Sequence, residues 1–349
     1  MPIPVVWSSE TRRHEPMREV WVGVPTDGTE VPLRVDRILD ALADHPRVEA
    51  QAHDDDVLRR IHAPELVDHL ATIHAEWMEG PYEELVGQDR VVPYVFPTAA
   101  MTQGMPPTRA AATHGRAGQF GYDTMTLVGP GTWEAARAAV DCALTATDLV
   151  TRAGETTAYA LCRPPGHHAT RDGYGGSCYL NNTAVAAQAL RDSGHPSVAV
   201  VDLDAHHGNG TQAIFWERGD VRYASLHVDP AAGWFPHYFG HAHETGAGAG
   251  TGATKNLPLA EGTGDGPWLD AVRELSDFAA GAEALVVSLG VDAAADDPES
   301  PLQVTADGYA AAGRLLGSLG LPAVVVQEGG YHLDTIGGLV AAYLDGHAG

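Results

Sequence analysis

Short apolar runs alternate with helical segments from about residue 156 to the end of the chain. The runs have the length and composition of strands buried on both faces. Repeated strand–helix units of this kind predict a single-domain, open parallel β-sheet with helices on both faces, in the α/β class. The predicted strands are Ala158–Cys162, Val198–Val201, Val221–Leu226, Ala284–Leu289 and Ala323–Val326.

The first half of the chain gives weaker signals. Residues 1–32 are predicted to be irregular, with a helix from Leu33 to Ala43 and a longer one from Thr132 to about Arg152. Residues 91–120 contain several prolines and glycines and have neither a strand period nor a helix period, which predicts a long inserted loop. With no internal repeat and no linker, we expect one domain over residues 1–349, with an insertion at about 91–120.

Composition narrows the function classes. The formal net charge of −25 argues against nucleic acid, whose phosphates would be repelled, and is compatible with a cationic substrate. No apolar run approaches the roughly 20 residues that a membrane span needs, so no membrane is expected. The start of the chain has no secretory pattern and there are only three cysteines, which predicts a cytoplasmic protein. The one lysine, Lys255, is predicted to lie in a loop.

Residues that can carry chemistry follow four of the predicted strands. Because the carboxyl ends of parallel strands meet at one edge of a sheet, we expect these residues to share a crevice. The four polar segments are Arg163–His168, Asp202–Asn209, Asp292–Asp297 and Glu328–Tyr331.

Two of these segments predict a metal site. Asp202, Asp204 and His206 alternate along an extended stretch, so their side chains are expected to project from one face. Asp204, His206 and Asp292 would hold a divalent metal and leave positions open for water and substrate, as in catalytic zinc sites. The alternative is a polar surface turn without a metal.

The remaining residues suggest acid–base chemistry. His167 and His168 could supply a base for water and an acid for a leaving group, although adjacent histidines are often only solvated. Asp202 and Asn209 could each orient one of these imidazoles, and the carboxylate partner would give its histidine the higher pKa. Tyr331, after two glycines, could donate to an oxyanion or could be a packed turn residue.

Together these motifs resemble the histone deacetylase superfamily, most closely its bacterial acetylpolyamine amidohydrolases. The resemblance covers about Arg12 to Gly338. It is carried by Arg163–His168, Gly176–Asn182, Asp202–Gly210, Ser225–His227, Gly290–Asp292 and Glu328–Tyr331.

This resemblance implies an arginase/deacetylase fold and zinc-dependent hydrolysis of an N-acyl amide. It assigns zinc to Asp204, His206 and Asp292, proton transfer to His168, an electrostatic role to His167 paired with Asp202, and carbonyl polarisation to Tyr331. Asn209 stands where one branch of the family carries an aspartate. The family also binds a structural potassium ion, here implied at Asp202, Asp204, His206, Ser225 and Leu226.

Substrate-binding positions are implied in the same way. Asp123 resembles a rim aspartate that orients substrate, and Phe235 matches one aromatic wall of a substrate tunnel. Ser177, next to Gly176, takes the place of the opposite aromatic wall, so we expect a wider or more polar tunnel. Glu299 matches a gatekeeper glutamate of polyamine-selective relatives, or else is an exposed loop residue.

The insertion at 91–120 resembles the segment through which acetylpolyamine amidohydrolases dimerise, which predicts a homodimer. It has no Asp or Glu between Val91 and Tyr122, which weakens the polyamine assignment. We expect a zinc deacetylase of small cationic N-acetylated amines, acetylpolyamines first. The alternatives are an acyl-lysine deacetylase, a deacetylase of a specialised small-molecule amide, a binuclear manganese ureohydrolase and a non-catalytic ligand-binding protein.

Overall fold

A computed structural model describes residues 2–106 and 108–349, apart from the side chains of Glu83 and Val86. Pro107, inside the predicted insertion, lies outside the described residues. The strands are β1 (Val5–Trp7), β2 (Arg18–Trp21), β3 (Val24–Asp27), β4 (Arg47–Glu49), β5 (Thr157–Ala160), β6 (Val198–Asp202), β7 (Val221–Val228), β8 (Thr254–Leu259), β9 (Ala284–Leu289) and β10 (Ala323–Gln327).

Helices connect most of these strands. They are α1 (Leu33–Ala41), α2 (Asp56–Ile61), α3 (Pro64–Met78), α4 (Tyr82–Val86), α5 (Ala99–Thr102), α6 (Thr113–Phe120), α7 (Thr132–Thr151), α8 (Asn182–Asp192), α9 (Asn209–Phe215), α10 (Asp265–Ala279), α11 (Ala306–Gly317) and α12 (Ile336–Ala348). Within the described ranges, no helix combines the length and the apolarity needed to cross a membrane.

The described part of the chain forms one eight-stranded sheet in the order β4-β1-β5-β10-β9-β6-β7-β8, and every neighbouring pair is parallel. The strands β2 and β3 form a separate antiparallel hairpin. Because parallel strands need a crossover connection, the helices lie on the faces of the sheet. The predicted fold class is confirmed.

Alternate residues of β6 face different helix layers. Val198 and Val200 pack in a cluster with residues of α3, α7 and α8. Ala199 and Val201 pack in a second cluster with residues of α1, α10, α11 and α12. Both faces of the strand are therefore buried, which explains why it reads in the sequence as a continuous apolar run.

Three sequence expectations need correction. Residues 1–32 are not irregular throughout, because they form β1 and the β2–β3 hairpin. Lys255 lies in the edge strand β8 and pairs with Glu274 at 2.6 Å. This strand escaped notice because an edge strand does not need a continuous apolar run. The strand β6 ends at Asp202, so residues 203–206 do not continue its alternation.

The insertion at 91–120 contains more structure than expected. The short helices α5 and α6 lie within it, and Ala117 and Phe120 of α6 join the buried core. Arg116 forms an ion pair with Glu76 of α3. The insertion is therefore anchored to the domain through its C-terminal half.

Candidate active site

The four polar segments predicted from the sequence follow β5, β6, β9 and β10, which are neighbours at the centre of the sheet. Because all four strands are parallel, their carboxyl ends lie on one edge. This edge is where open α/β sheets bind ligands. The candidate site is built there from buried and half-buried polar side chains.

Asp204, His206 and Asp292 come together in one group. Their potential ligand atoms all lie within 4.8 Å of one another. The Nδ1 atom of His206 is 3.0 Å from Oδ2 of Asp292 and 3.2 Å from Oδ1 of Asp204. These are the three residues predicted as metal ligands, with Asp292 following β9, and Asp202 does not join them.

Backbone amides hold the two carboxylates of this group. The amide of Ala205 donates to Oδ1 of Asp292 at 2.8 Å, and the amide of Gly329 donates to Oδ2 of Asp204 at 2.8 Å. A Cβ atom at Gly329 would lie 2.5 Å from Asp292 Oδ2 and 2.6 Å from Asp204 Oδ2. A glycine is needed here because the backbone itself approaches the carboxylates.

The donor chemistry of this group fits a divalent cation. Burial, and next the charge of Asp204, raise the pKa of Asp292 to about 8. The repulsion behind this shift is relieved by a cation between the carboxylates. Carboxylate oxygens and imidazole nitrogens are both ligands that zinc takes in proteins. Within residues 2–106 and 108–349, no further acidic residue or histidine joins this group.

A second cluster of potential ligands, His167, Cys178 and Glu328, is poorly suited to a metal. Glu328 already accepts hydrogen bonds from the amides of Gly166 and His167, at 2.6 and 3.1 Å, and from the Thr183 hydroxyl at 2.8 Å. Burial raises the pKa of the Cys178 thiol well above its ordinary value, so the thiolate is disfavoured. Glu328 instead supports the backbone that carries the two histidines.

The tandem histidines have different partners. Nδ1 of His167 is 3.1 Å from Oδ2 of Asp202, and Nδ1 of His168 is 2.8 Å from Oδ1 of Asn209. The Asn209 oxygen can only accept, so Nδ1 of His168 carries a proton and Nε2 is the nitrogen open to proton exchange. The two rings are adjacent, with centroids 4.0 Å apart.

Their pKa values are driven apart. Burial lowers the pKa of His167, but the carboxylates of Asp204 and Asp202 outweigh it and raise this pKa to about 10. Burial, and then the charges of His167 and His206, hold the pKa of His168 well below its ordinary value. The pair therefore combines a protonated imidazole with a neutral one that can accept a proton.

Tyr331 follows the end of β10 and is held there by Arg34. The guanidinium of Arg34 lies 4.8 Å from the centre of the Tyr331 ring and donates to the carbonyls of Gly330 and Glu328, both at 2.6 Å. Burial raises the pKa of Tyr331 well above its ordinary value, although Arg34 opposes this shift. The phenol therefore stays protonated and can donate a hydrogen bond.

The predicted tunnel walls lie next to His168. The ring of Phe235 packs edge-on against His168, with centroids 4.8 Å apart. Gly176 has a φ of +58°, and a Cβ atom there would lie 2.5 Å from His168 Cδ2 and 2.8 Å from Phe235 Cε1. The amide of Ser177 donates to the Thr126 hydroxyl at 2.8 Å. On this side the small Ser177 side chain stands where relatives are expected to have an aromatic ring.

Glu299 and Glu19 lie near each other beside the loop of Trp234 and Phe235, and we call this region the mouth of the site. Glu299 accepts a hydrogen bond from the Thr29 hydroxyl at 2.8 Å. Burial, and next the charges of Glu299, Glu30 and Asp123, raise the pKa of Glu19 on the β2–β3 hairpin to about 8. Glu19 was not identified from the sequence, because residues 1–32 were predicted to be irregular.

Asp123 has a different environment from the one expected of a free rim carboxylate. It accepts hydrogen bonds from the amides of Met125, Thr126 and Gly176 at 3.0, 2.8 and 2.6 Å. These contacts give it a structural role, because they hold the turn that includes Ser177. Its role in orienting substrate stays a prediction.

Three of the predicted potassium ligands lie where β6 and β7 pair. Asp202 is opposite Ser225 in this pairing, and Leu226 follows. His227 Nε2 lies 2.8 Å from the carbonyl of Gly240, which can only accept, so Nδ1 of His227 is the acceptor for the Ser225 hydroxyl at 2.8 Å. Lone pairs of the Ser225 oxygen are therefore available to a cation.

Comparison with known proteins places this geometry in a family. The profile of the Histone deacetylase domain matches residues 29–346. The chain belongs to the histone deacetylase domain family. Acetylpolyamine amidohydrolase of Mycoplana ramosa is 41% identical over 99% of each chain, and acetylpolyamine amidohydrolase 1 of Pseudomonas aeruginosa is 38% identical over 99% of this chain and 98% of its own. The crystal structure of acetylpolyamine aminohydrolase from Burkholderia pseudomallei matches with a TM-score of 0.91 and 37% identity, covering 99% of this chain and 98% of its own.

Membership of the histone deacetylase domain family confirms the resemblance drawn from the sequence motifs. Histone deacetylase domains are generally metal-dependent, and this chain has a candidate metal-binding group in Asp204, His206 and Asp292. The match also argues against the binuclear ureohydrolase hypothesis, which would need a second set of metal ligands beside Asp204, His206 and Asp292.

Proposed function

We propose that this protein is a zinc-dependent amidohydrolase that removes the acetyl group from small cationic N-acetylated amines, acetylated polyamines first. One observation carries the proposal. A group of two carboxylates and an imidazole lies beside a tandem histidine pair, in a chain 41% identical over 99% of its length to an acetylpolyamine amidohydrolase.

Asp204, His206 and Asp292 would hold the zinc ion. When bound, zinc acts as a Lewis acid that polarises a carbonyl and makes water a stronger nucleophile at neutral pH. The three donors follow two neighbouring strands, β6 and β9, and two of them are fixed by the backbone amides of Ala205 and Gly329. Such outer contacts orient ligands before the ion arrives.

The other residues would handle protons and charge. His168 accepts a proton at Nε2 from the attacking water and passes one to the amine nitrogen as the amide bond breaks, so acetate and a free amine leave. His167, kept protonated by Asp202 and Asp204, stabilises negative charge beside it. Tyr331 donates a hydrogen bond to the carbonyl oxygen as that oxygen gains negative charge.

The charge of the mouth supports a cationic amine as substrate. The charge of Glu299 contributes to the raised pKa of Glu19, as expected for two neighbouring carboxylates. The free ammonium group of an acetylated polyamine would relieve this like-charge repulsion. The small Ser177 side chain leaves room on one side of the tunnel, so bulkier N-acyl amines belong in the substrate panel.

The test is a steady-state assay of the purified protein with N-acetylputrescine, N-acetylspermidine and an acetyl-lysine peptide, with and without a chelator. We expect turnover of the acetylated polyamines that the chelator abolishes and added zinc restores. Turnover of the peptide alone would support amide hydrolysis as the reaction and would contradict acetylated polyamines as the substrate. No turnover of any amide, by wild type and His168→Ala alike, would favour the ligand-binding alternative.

Glu19 should make substrate binding depend on pH. Its raised pKa of about 8 means that the carboxyl group ionises as the pH rises through this value, which adds negative charge at the mouth. We expect KM for N-acetylputrescine to fall about two- to fivefold between pH 7 and 9, as for a partly exposed ion pair. KM for a neutral acetyl amide should stay flat. The Glu19→Gln variant should lose the fall, and a pH profile unchanged from wild type would contradict this assignment.

We also propose that potassium binds near Asp202, Asp204, His206, Ser225 and Leu226. The free lone pairs of Ser225 and its pairing opposite Asp202 support this site. Such an ion would neutralise part of the acidic charge under the zinc site. A cytoplasmic location stays a prediction.

A homodimer through the 91–120 insertion is the proposed assembly. Tyr94, Met101 and Met105 expose 72, 61 and 66% of their surface there, which is unusual for apolar residues grouped on one segment. Light scattering should give twice the 36.7 kDa monomer mass. Met105→Lys should shift the protein toward monomer, whereas Tyr238→Lys, at an even more exposed residue outside the insertion, should not. A monomeric wild type would contradict the assembly.

A further inference from the structure

Asp297 is a buried carboxylate whose oxygens are both used by backbone amides. Oδ2 accepts from the amide of Tyr331 at 2.6 Å and from the amide of His332 at 3.2 Å. Oδ1 accepts from the amide of Glu299 at 3.0 Å. Only 7% of the residue is exposed, and no side-chain cation pairs with it among the described residues.

These contacts matter because the two residues just before Tyr331 are glycines, whose backbone is fixed by contacts with other residues. Gly329 and Gly330 precede the tyrosine, and Gly330 has a φ of +121°, a conformation in which side chains are rarely found. Arg34 holds this segment from one side by donating hydrogen bonds to the carbonyls of Glu328 and Gly330. Asp297 holds it from the other side through the amides.

The Asp297 carboxylate also contacts the main chain of Glu299. The main chain of Glu299 is fixed by Asp297 at its amide and by the Trp234 indole at its carbonyl, at 3.1 Å. One side chain therefore supports both the residue proposed to polarise the substrate carbonyl and the residue proposed to attract the substrate amine.

We propose that Asp297 is a positioning residue that sets the place of the Tyr331 hydroxyl and links it to Glu299. The inference rests on the proposed function, because that function gives Tyr331 its role. A displacement of about 1 Å in a group that acts on the reacting atoms can cost roughly a hundredfold in rate. Loss of the Asp297 contacts should therefore appear in kcat through Tyr331.

The variant Asp297→Asn tests this with almost no change of shape. Its amide oxygen can serve one set of backbone amides, but its NH2 group then opposes the N–H donors of the other set. We expect kcat to fall about 10- to 100-fold, with KM for N-acetylputrescine changed less than about threefold and the metal content unchanged. Asp296→Asn, which removes a charge from the exposed neighbouring residue, should keep wild-type kcat.

A double-mutant cycle with Tyr331→Phe separates positioning from a general structural effect. If Asp297 acts through the Tyr331 hydroxyl, adding Asp297→Asn to Tyr331→Phe should lower kcat less than about twofold further. The full loss repeated in that background would overturn the inference, as would a folded Asp297→Asn variant with wild-type kcat. If Asp297→Asn does not fold, Asp297→Ser, whose hydroxyl can accept from one amide, takes its place in the cycle.

A crystal structure of Asp297→Asn distinguishes this inference from the proposed function. We expect the Tyr331 side chain to shift or lose its single position while the Asp204 and Asp292 side chains stay in place. This result would support the positioning role even if no acetylated amine were turned over by the wild type. An unmoved Tyr331 in an otherwise active enzyme would contradict the inference and leave the proposed function standing.

Discussion

Replacing Asp292 by asparagine should remove the bound metal and lower kcat/KM on N-acetylputrescine by on the order of a thousandfold or more. The substitution keeps the shape of the side chain. The amide oxygen can still accept from Ala205, as Oδ1 of Asp292 does at 2.8 Å. The NH2 group would then replace Oδ2, which lies 3.0 Å from Nδ1 of His206.

Metal and activity should be lost without loss of folding stability, because the substitution removes the Asp292 carboxylate, whose negative charge opposes folding. Burial and the neighbouring Asp204 raise the pKa of Asp292, so the free carboxylate opposes folding unless a cation offsets the repulsion. We therefore expect Asp292→Asn to fold and to match or exceed the thermal stability of metal-free wild type.

Elemental analysis, kcat/KM and thermal unfolding of wild type and Asp292→Asn, each with and without zinc, would check this. Wild type should bind one zinc per chain and gain stability from it, and the variant should show neither effect. A variant that retains one zinc per chain and wild-type activity would exclude Asp292 as a ligand. Two metals per wild-type chain would revive the binuclear alternative.

Replacing Tyr331 by phenylalanine should lower kcat about 10²- to 10³-fold, the usual cost of removing one donor to a developing oxyanion. The ring and its contact with Arg34 are kept, because that contact is with the face of the aromatic ring. The backbone contacts of Tyr331 with Asp297 are also kept, since they involve only the amide. The change is therefore confined to the hydroxyl.

Metal content separates this prediction from the preceding one. Tyr331→Phe should bind zinc as wild type does, with KM changed little and kcat lowered. Asp292→Asn should lose both metal and activity. If Tyr331→Phe kept full kcat, the tyrosine would have no part in the reaction, and the interpretation of Asp297 as its support would fail with it.

The sequence was most informative where strands end. Apolar runs located the central strands, and the polar residues after β5, β6, β9 and β10 identified the sheet edge that carries the candidate site. The expected contacts of Asp202 with His167 and of Asn209 with His168 are also present. These relations could be inferred because each depends on residues just beyond a recognisable buried strand.

Other features depend on contacts between distant segments, which periodicity does not reveal. Arg34 contacts Tyr331 from helix α1, and Glu19 reaches the mouth from a hairpin in a segment expected to be irregular. The extended-spacing argument was wrong for Asp202, because β6 ends there and the chain bends before Asp204. The folded backbone shows that Asp202 contacts His167 although it does not share one extended face with Asp204 and His206.

The two-sided burial of β6 also limits how this protein can change length. Its ladder sets Asp202 opposite Ser225 and Ser288. Deleting or inserting one residue within Val198–Asp202 would exchange the two sets of side chains between the helix layers and move the carboxylates that follow out of place. Homologous sequences should therefore vary here by substitution at constant length, and engineered insertions would be tolerated better in exposed connections such as Gly262, far from this register.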